Sequence, residues 1–144
     1  MAAANAVARP FYVTTGAGQL RGFVAGEGAG LVVLHGPAEG AAAAATVAAT
    51  RFPGRAAVTF EPPGVGGSAG VDTDGADALA AALAGAIQAA GLTGAPILAT
   101  DLSARLAMRV AVLTSAASVR TEDAARAAGW TGRGFEPPAL ALAA

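Results

Sequence analysis

The chain contains no cysteine and no lysine, and only one histidine, His35. Without thiols, disulfides and thiolate chemistry are excluded. A single imidazole among scattered carboxylates makes no ligand cluster, so no metal is expected. Without lysine no Gly-Lys-Ser phosphate loop can form. All nine basic residues are arginines, and ten acidic residues balance them. Arg51, Arg55, Arg105, Arg109, Arg120 and Arg126 form no run. Nucleic-acid binding needs a concentrated positive field, so no such partner is expected.

Aromatic residues are scarce too, at 5%, although 54% of the chain is hydrophobic. Alanine supplies much of the difference, so the core must be built from small side chains packed closely. Met1 to Arg9 has no basic segment leading into an apolar one, and no signal peptide is expected. The longest apolar run, Gly40 to Ala49, is too short to span a bilayer. A length of 144 residues suits one domain. The expectation is a cytoplasmic domain over residues 1–129, with a C-terminal tail of unassigned structure over 130–144.

Pro10 to Thr15 and Leu20 to Ala25 are rich in aromatic and β-branched residues and flank Gly16-Ala17-Gly18, the pattern of an antiparallel hairpin. Leu31 to Leu34 is an uninterrupted apolar run, which suits a strand buried on both faces of a parallel sheet. The pattern then predicts a helix over Glu39 to Thr50 and a strand over Ala56 to Phe60, stopped by Pro62-Pro63. A helix follows, with Asp72 to Asp74 as cap candidates, Leu79, Leu83 and Ile87 at four-residue intervals, and Gly91 as its stop. Pro96 to Ala99 reads as a strand, followed by a helix carrying Leu106, Val110 and Leu113. Thr121 to Ala128 reads as a short helix, with Glu122 and Asp123 at its N-terminal end. A hairpin followed by alternating strands and helices implies right-handed crossovers and an α/β three-layer sandwich with a mostly parallel sheet.

Three segments in this order resemble the opening half of α/β-hydrolase-fold proteins. Leu31-Val32-Val33-Leu34-His35-Gly36 resembles the buried strand that ends in His-Gly at the oxyanion loop. Glu61-Pro62-Pro63-Gly64-Val65-Gly66-Gly67-Ser68 resembles the loop after the next strand, usually Asp-x-x-Gly-x-Gly-x-Ser. Ile97 to Ala104 falls where the family has its nucleophile elbow, Gly-x-Nuc-x-Gly. The resemblance covers roughly residues 18 to 113.

By position, the resemblance makes Asp101 the candidate nucleophile, as aspartate is in epoxide hydrolases and haloalkane dehalogenases, where it attacks carbon to give an ester. Its competing role is that of a helix N-cap beside Ser103. Leu102, next after the nucleophile, is the candidate oxyanion amide. His35 belongs to the oxyanion loop, where the imidazole is structural and does not act as the base. Three departures weaken the site. Both elbow glycines are replaced, by Ala99 and Ser103. Pro37 follows His-Gly and has no N–H to donate to an oxyanion, a loss worth about 100- to 1000-fold in rate. No histidine follows Ser103 to serve as the base.

The glycines of Gly64-Val65-Gly66-Gly67-Ser68-Ala69 also fit a dinucleotide pattern. There, however, the helix starts inside the loop, whereas here it starts beyond Asp72 to Asp74, whose carboxylates repel phosphate. No cofactor is expected.

The sequence thus reads as a truncated α/β-hydrolase-like protein with a degenerate active site, inactive alone and acting as a partner-binding or small-ligand-binding subunit. The alternative is one part of a divided hydrolase of ester, epoxide or haloalkane type. In that case Asp101 is the nucleophile and another chain supplies the base. The strand at Pro96 to Ala99 would end the sheet, and an open edge invites pairing with an identical copy or a separate protein. A small apolar ligand is also expected.

Overall fold

The computed structural model describes residues 7–36, 40–68, 70, 75–100 and 104–122. They form one six-stranded sheet with helices on both faces, in the order β1-β2-β4-β3-β5-β6. Strand β1 (Arg9–Thr15) and strand β2 (Gly18–Ala25) make the expected hairpin. Thr15 closes its turn by accepting the amides of Ala17 and Gly18 on Oγ1 at 3.1 and 3.2 Å.

β2 runs antiparallel to β4 (Arg55–Phe60), which is parallel to β3 (Ala29–His35). β3 is in turn parallel to β5 (Ile97–Thr100), and β5 to β6 (Val119–Glu122). Crossovers between the parallel strands pass through α1 (Ala41–Arg51), α2 (Gly75–Ala89) and α3 (Ala104–Thr114). Among the described residues, no helix is long and apolar enough to cross a membrane.

The uninterrupted apolar run of β3 is explained by its two covered faces. Leu31 and Val33 pack with Ala44, Ala45, Ala48 and Ala49 of α1 and with Leu98 of β5. Val32 and Leu34 point the other way, joining Leu83 and Ile87 of α2 and Val110 of α3. The period-2 alternation of the strand thus feeds two cores at once. On the α1 side the helix contributes only alanines, which lets its backbone approach the sheet. Thr59 of β4, fully buried, donates Oγ1 to the Ala41 carbonyl at 2.8 Å.

α2 ends where Gly91 was expected to stop it. Gly91 has a φ of 78°, its amide reaches the Gln88 carbonyl, and Leu92 N–H reaches Ile87 O, each at 3.0 Å. This is a Schellman closure, which places a glycine in the left-handed region. In α3, Val110 is buried as expected, whereas Leu113 is 43% exposed. Thr114 turns inward in its place and returns its hydroxyl to the Val110 carbonyl at 3.0 Å.

Two expectations are corrected. Thr121 and Glu122 are not helical: they end β6, and the rest of the segment expected to be helical lies outside the described residues. The acidic pair looked like a helix start, but the Glu122 carboxylate faces Arg51 at 3.0 Å and Arg120 at 3.1 Å. Pairing beside β5 outweighs the local signal. In consequence β5 is not an edge strand. It lies between β3 and β6, and β6 is the outermost strand among the described residues.

Candidate functional site

In a parallel sheet the loops leaving the C-terminal ends of the strands converge at one edge, and ligands bind there. Here that edge carries His35-Gly36 after β3, Glu61 to Ser68 after β4, and Thr100 at the end of β5. His35 and Thr100 are directly paired in register. The candidate nucleophile Asp101 and candidate oxyanion amide Leu102 follow Thr100 in the chain and, like Pro37, lie outside the described residues.

His35 is 8% exposed, and both ring nitrogens face backbone carbonyls. Nδ1 lies 3.0 Å from the Gly36 oxygen and Nε2 lies 3.3 Å from the Phe60 oxygen. The imidazole therefore ties the exit of β3 to the exit of β4.

The loop after β4 is fixed by a pair that the sequence reading did not single out. Arg21 of β2 donates Nε to Glu61 Oε1 at 2.7 Å and Nη2 to Oε2 at 2.9 Å. Gly67 N–H donates to the same Oε1 at 2.7 Å. Ser68 Oγ donates to the Glu61 carbonyl at 2.7 Å and accepts the Arg21 amide at 3.0 Å. Glu61 N–H closes the ring onto the Arg21 carbonyl at 2.8 Å. The Arg21 hydrogen bonds hold the Glu61 carboxyl below the usual carboxylate range. Burial opposes this, while the Gly67 amide and the nearby His35 act in the same direction as Arg21.

The two glycines at the base of the loop are required by this packing. A Cβ on Gly66 would strike the Glu61 carboxylate, and one on Gly67 would lie 2.6 Å from Arg21 Nε. The partial signal was present in the sequence, since glutamate stands where the resembled family has aspartate. Its arginine, however, sits 40 positions earlier on another strand.

This geometry also removes the nucleotide reading. The amides of Gly64, Val65 and Ser68 bond to Ser68 O, Pro62 O and Val65 O within the loop. That of Gly67 is taken by the protein's own carboxylate. Gly66–Ser68 is a single 3-10 turn. A phosphate cradle needs free amides at a helix N-terminus, and these four are already occupied.

An antiparallel β1-β2-β4 corner, a parallel continuation through β3, β5 and β6, and one helix opposite two together define the architecture. The fold is that of the α/β-hydrolases. Similar solved structures include the haloalkane dehalogenase DatA from Agrobacterium tumefaciens C58, with a TM-score of 0.66 at 18% identity over 80% of this chain and 40% of that one. The bottromycin epimerase BotH matches with a TM-score of 0.65 at 23% identity, over 78% of this chain and 47% of that one. An epoxide hydrolase from an endophytic Streptomyces matches with a TM-score of 0.59 at 21% identity, over 79% and 36%. The chain thus spans less than half the length of each of these α/β-hydrolase-fold proteins. No protein-family model matches the sequence, and neither does any curated protein.

Proposed function

We propose that this α/β-hydrolase-like chain does not turn over substrate by itself and acts as a partner-binding or small-ligand-binding subunit. The observation that carries the proposal is the state of His35, the sole histidine of the sequence. Both its ring nitrogens face backbone carbonyls, at 3.0 and 3.3 Å, so neither is directed at a nucleophile or a substrate water. Hydrolysis on this fold needs such a base, and Pro37 removes an amide that would have met an oxyanion.

The partner surface we assign is the outer side of β6, whose backbone groups have no partner strand among the described residues. Such an edge pairs readily with another chain. Two experiments test the proposal. Incubation of the purified chain with p-nitrophenyl esters and aryl epoxides should give no turnover above the uncatalysed rate; robust turnover would refute it. Size exclusion with light scattering should show self-association, or association with a co-purifying protein. A clean monomer at high concentration would rule out the edge as a docking surface.

A second reading makes Asp101 the nucleophile of a divided hydrolase, its base supplied by another chain. It draws support from the register that sets Thr100, the residue before Asp101, beside His35. If a reconstituted complex has ester, epoxide or haloalkane hydrolase activity, Asp101→Ala should abolish it; unchanged activity would exclude this role.

A further inference from the structure

Ile97 N–H donates to the Ser118 carbonyl at 2.9 Å, and β5 pairs with β6 in parallel from Ile97↔Val119 to Thr100↔Glu122. Along a strand of such a ladder, successive residues turn their backbone groups to opposite sides. Ser118 and Arg120 therefore bond toward β5, while the amides and carbonyls of Val119 and Thr121 point outward. The side chains alternate as well. Val119 sits in the core with α2 and α3, whereas Glu122 meets Arg51 of α1 on the other face, with Arg120 beside it.

We propose that the occupant of this edge is a second copy of the chain, paired antiparallel through β6 about a twofold axis at Thr121. This rests on the reading of the β6 edge as the partner surface, and it adds the partner and the register. Opposed residues of an antiparallel pair share a face, so a twofold register must set one residue opposite itself. Centres at Arg120 or Glu122 set like charges directly opposite each other, which is destabilising. A centre at Val119 sets Arg120 opposite Ser118 and Glu122 opposite Ala116, and pairs no charges. A centre at Thr121 sets Arg120 of each copy opposite Glu122 of the other. It also makes Thr121 a hydrogen-bonded pair with its own copy, each outward amide donating to the other's carbonyl. Arg120 and Glu122 then fall in non-hydrogen-bonded positions, where side chains come closest. Arg120, whose side chain is 33% exposed, is placed to bridge both carboxylates.

The same axis carries the interface onto α3. Arg109 reaches Asp77 of α2 at 3.1 Å, which marks the flank of α3 that faces α2. Met108 and Val112, four residues apart and so on one face, lie on the flank turned from α2 toward the free edge. Val112 is 68% exposed there. The twofold brings this flank against its copy above the paired strands. Charge thus selects the register, and the apolar flank adds buried area to it.

Light scattering on the full chain should give twice the 13.7 kDa of one copy. The chain has no cysteine, so Thr121→Cys places a single thiol at the axis. Cα atoms of a hydrogen-bonded antiparallel pair lie about 5.5 Å apart, within disulfide range. Mild oxidation should convert that variant into a covalent dimer, whereas Val47→Cys, at an exposed position of α1, should run as a single chain. Arg120→Glu opposes two carboxylates across the paired strands. Thr121→Pro deletes the central donors, which an edge strand tolerates where the N–H faces outward. Each should return the mass to that of one chain while keeping the native circular dichroism. A dimer that survives both substitutions, or that cross-links no better at 121 than at 47, would overturn the proposal. A monomer bound to a co-purifying protein would also overturn it and leave the partner-binding reading standing; a clean monomer would remove both. If Arg120→Glu or Thr121→Pro fails to fold, the cross-link decides alone.

Discussion

Arg21 and Glu61 stand 40 residues apart and meet through two parallel hydrogen bonds of 2.7 and 2.9 Å, with a backbone amide of the same loop sharing one of the oxygens. The fork of a guanidinium matches a carboxylate at two points, which fixes orientation as well as distance. That explains how a loop with glycines at 64, 66 and 67 keeps one shape at the site edge of the sheet.

This pair makes acid stability depend on one carboxylate. Glu61 has a folded-state pKa below its ordinary value of 4.5, chiefly because of the Arg21 hydrogen bonds. A depressed carboxylate pKa stabilises the fold above the unfolded-state value, and that stabilisation is lost as pH falls through the folded-state value. Urea midpoints should therefore drop below about pH 4.5, and Glu61→Gln should remove part of that slope while lowering the midpoint at neutral pH. An unchanged acid slope in Glu61→Gln would mean that other carboxylates carry the transition.

Gly67→Ala tests the packing around the same pair. The added methyl would sit 2.6 Å from Arg21 Nε and 2.8 Å from its Cβ and Cδ, so the guanidinium must move off the carboxylate. Overpacking of this kind costs about 1–3 kcal/mol. Most of that cost should vanish in an Arg21→Ala background, because the atoms that collide are gone. Equal costs in both backgrounds, measured by chemical denaturation, would show that the loop is held by something else.

The fold was largely legible in the sequence because both-face burial leaves an unmistakable pattern. Leu31 to Leu34 suits a central strand, and Gly91 suits the end of a helix, as the structure has them. The segment at Thr121 and Glu122 was misread because its acidic residue mimics a helix start, while the arginine facing it, Arg51, closes α1 far away in the chain. No local pattern reports a contact across 71 residues. A contiguous motif singles out His35 in the sequence, whereas nothing singles out Arg21, which lies within an ordinary amphipathic strand. Its role depends on the antiparallel register that sets Gly22 opposite Phe60 and so brings Arg21 beside Glu61.

Thr59 offers a test of the alanine-lined interface. Its buried hydroxyl reaches the Ala41 carbonyl at 2.8 Å and is the polar link between β4 and the first turn of α1. Thr59→Val keeps the shape and removes the bond, with an expected loss of about 1 kcal/mol. A neutral or stabilising result by thermal or urea unfolding would show that packing alone positions α1.

The outer strand provides the last prediction. Glu122 closes β6 with its side chain 7% exposed, facing Arg51 at 3.0 Å, itself 9% exposed, and Arg120 at 3.1 Å, which is 33% exposed. Removing the carboxylate takes away the shared counter-charge of two guanidiniums, one of them largely shielded from solvent, and breaking a fully buried pair costs about 3–5 kcal/mol, the upper bound for this one. Removing the exposed partner should cost far less, within about 1 kcal/mol. Glu122→Ala should therefore lower the denaturation midpoint strongly and speed amide exchange across Val119–Glu122, whereas Arg120→Ala should change either only slightly. Comparable losses in both variants would place the anchor of β6 in the Arg120 pair instead. A small loss in both would mean that β6 is held by its hydrogen bonds to β5 alone, and the tie from Arg51 at the end of α1 would then contribute nothing to keeping the outer strand in place.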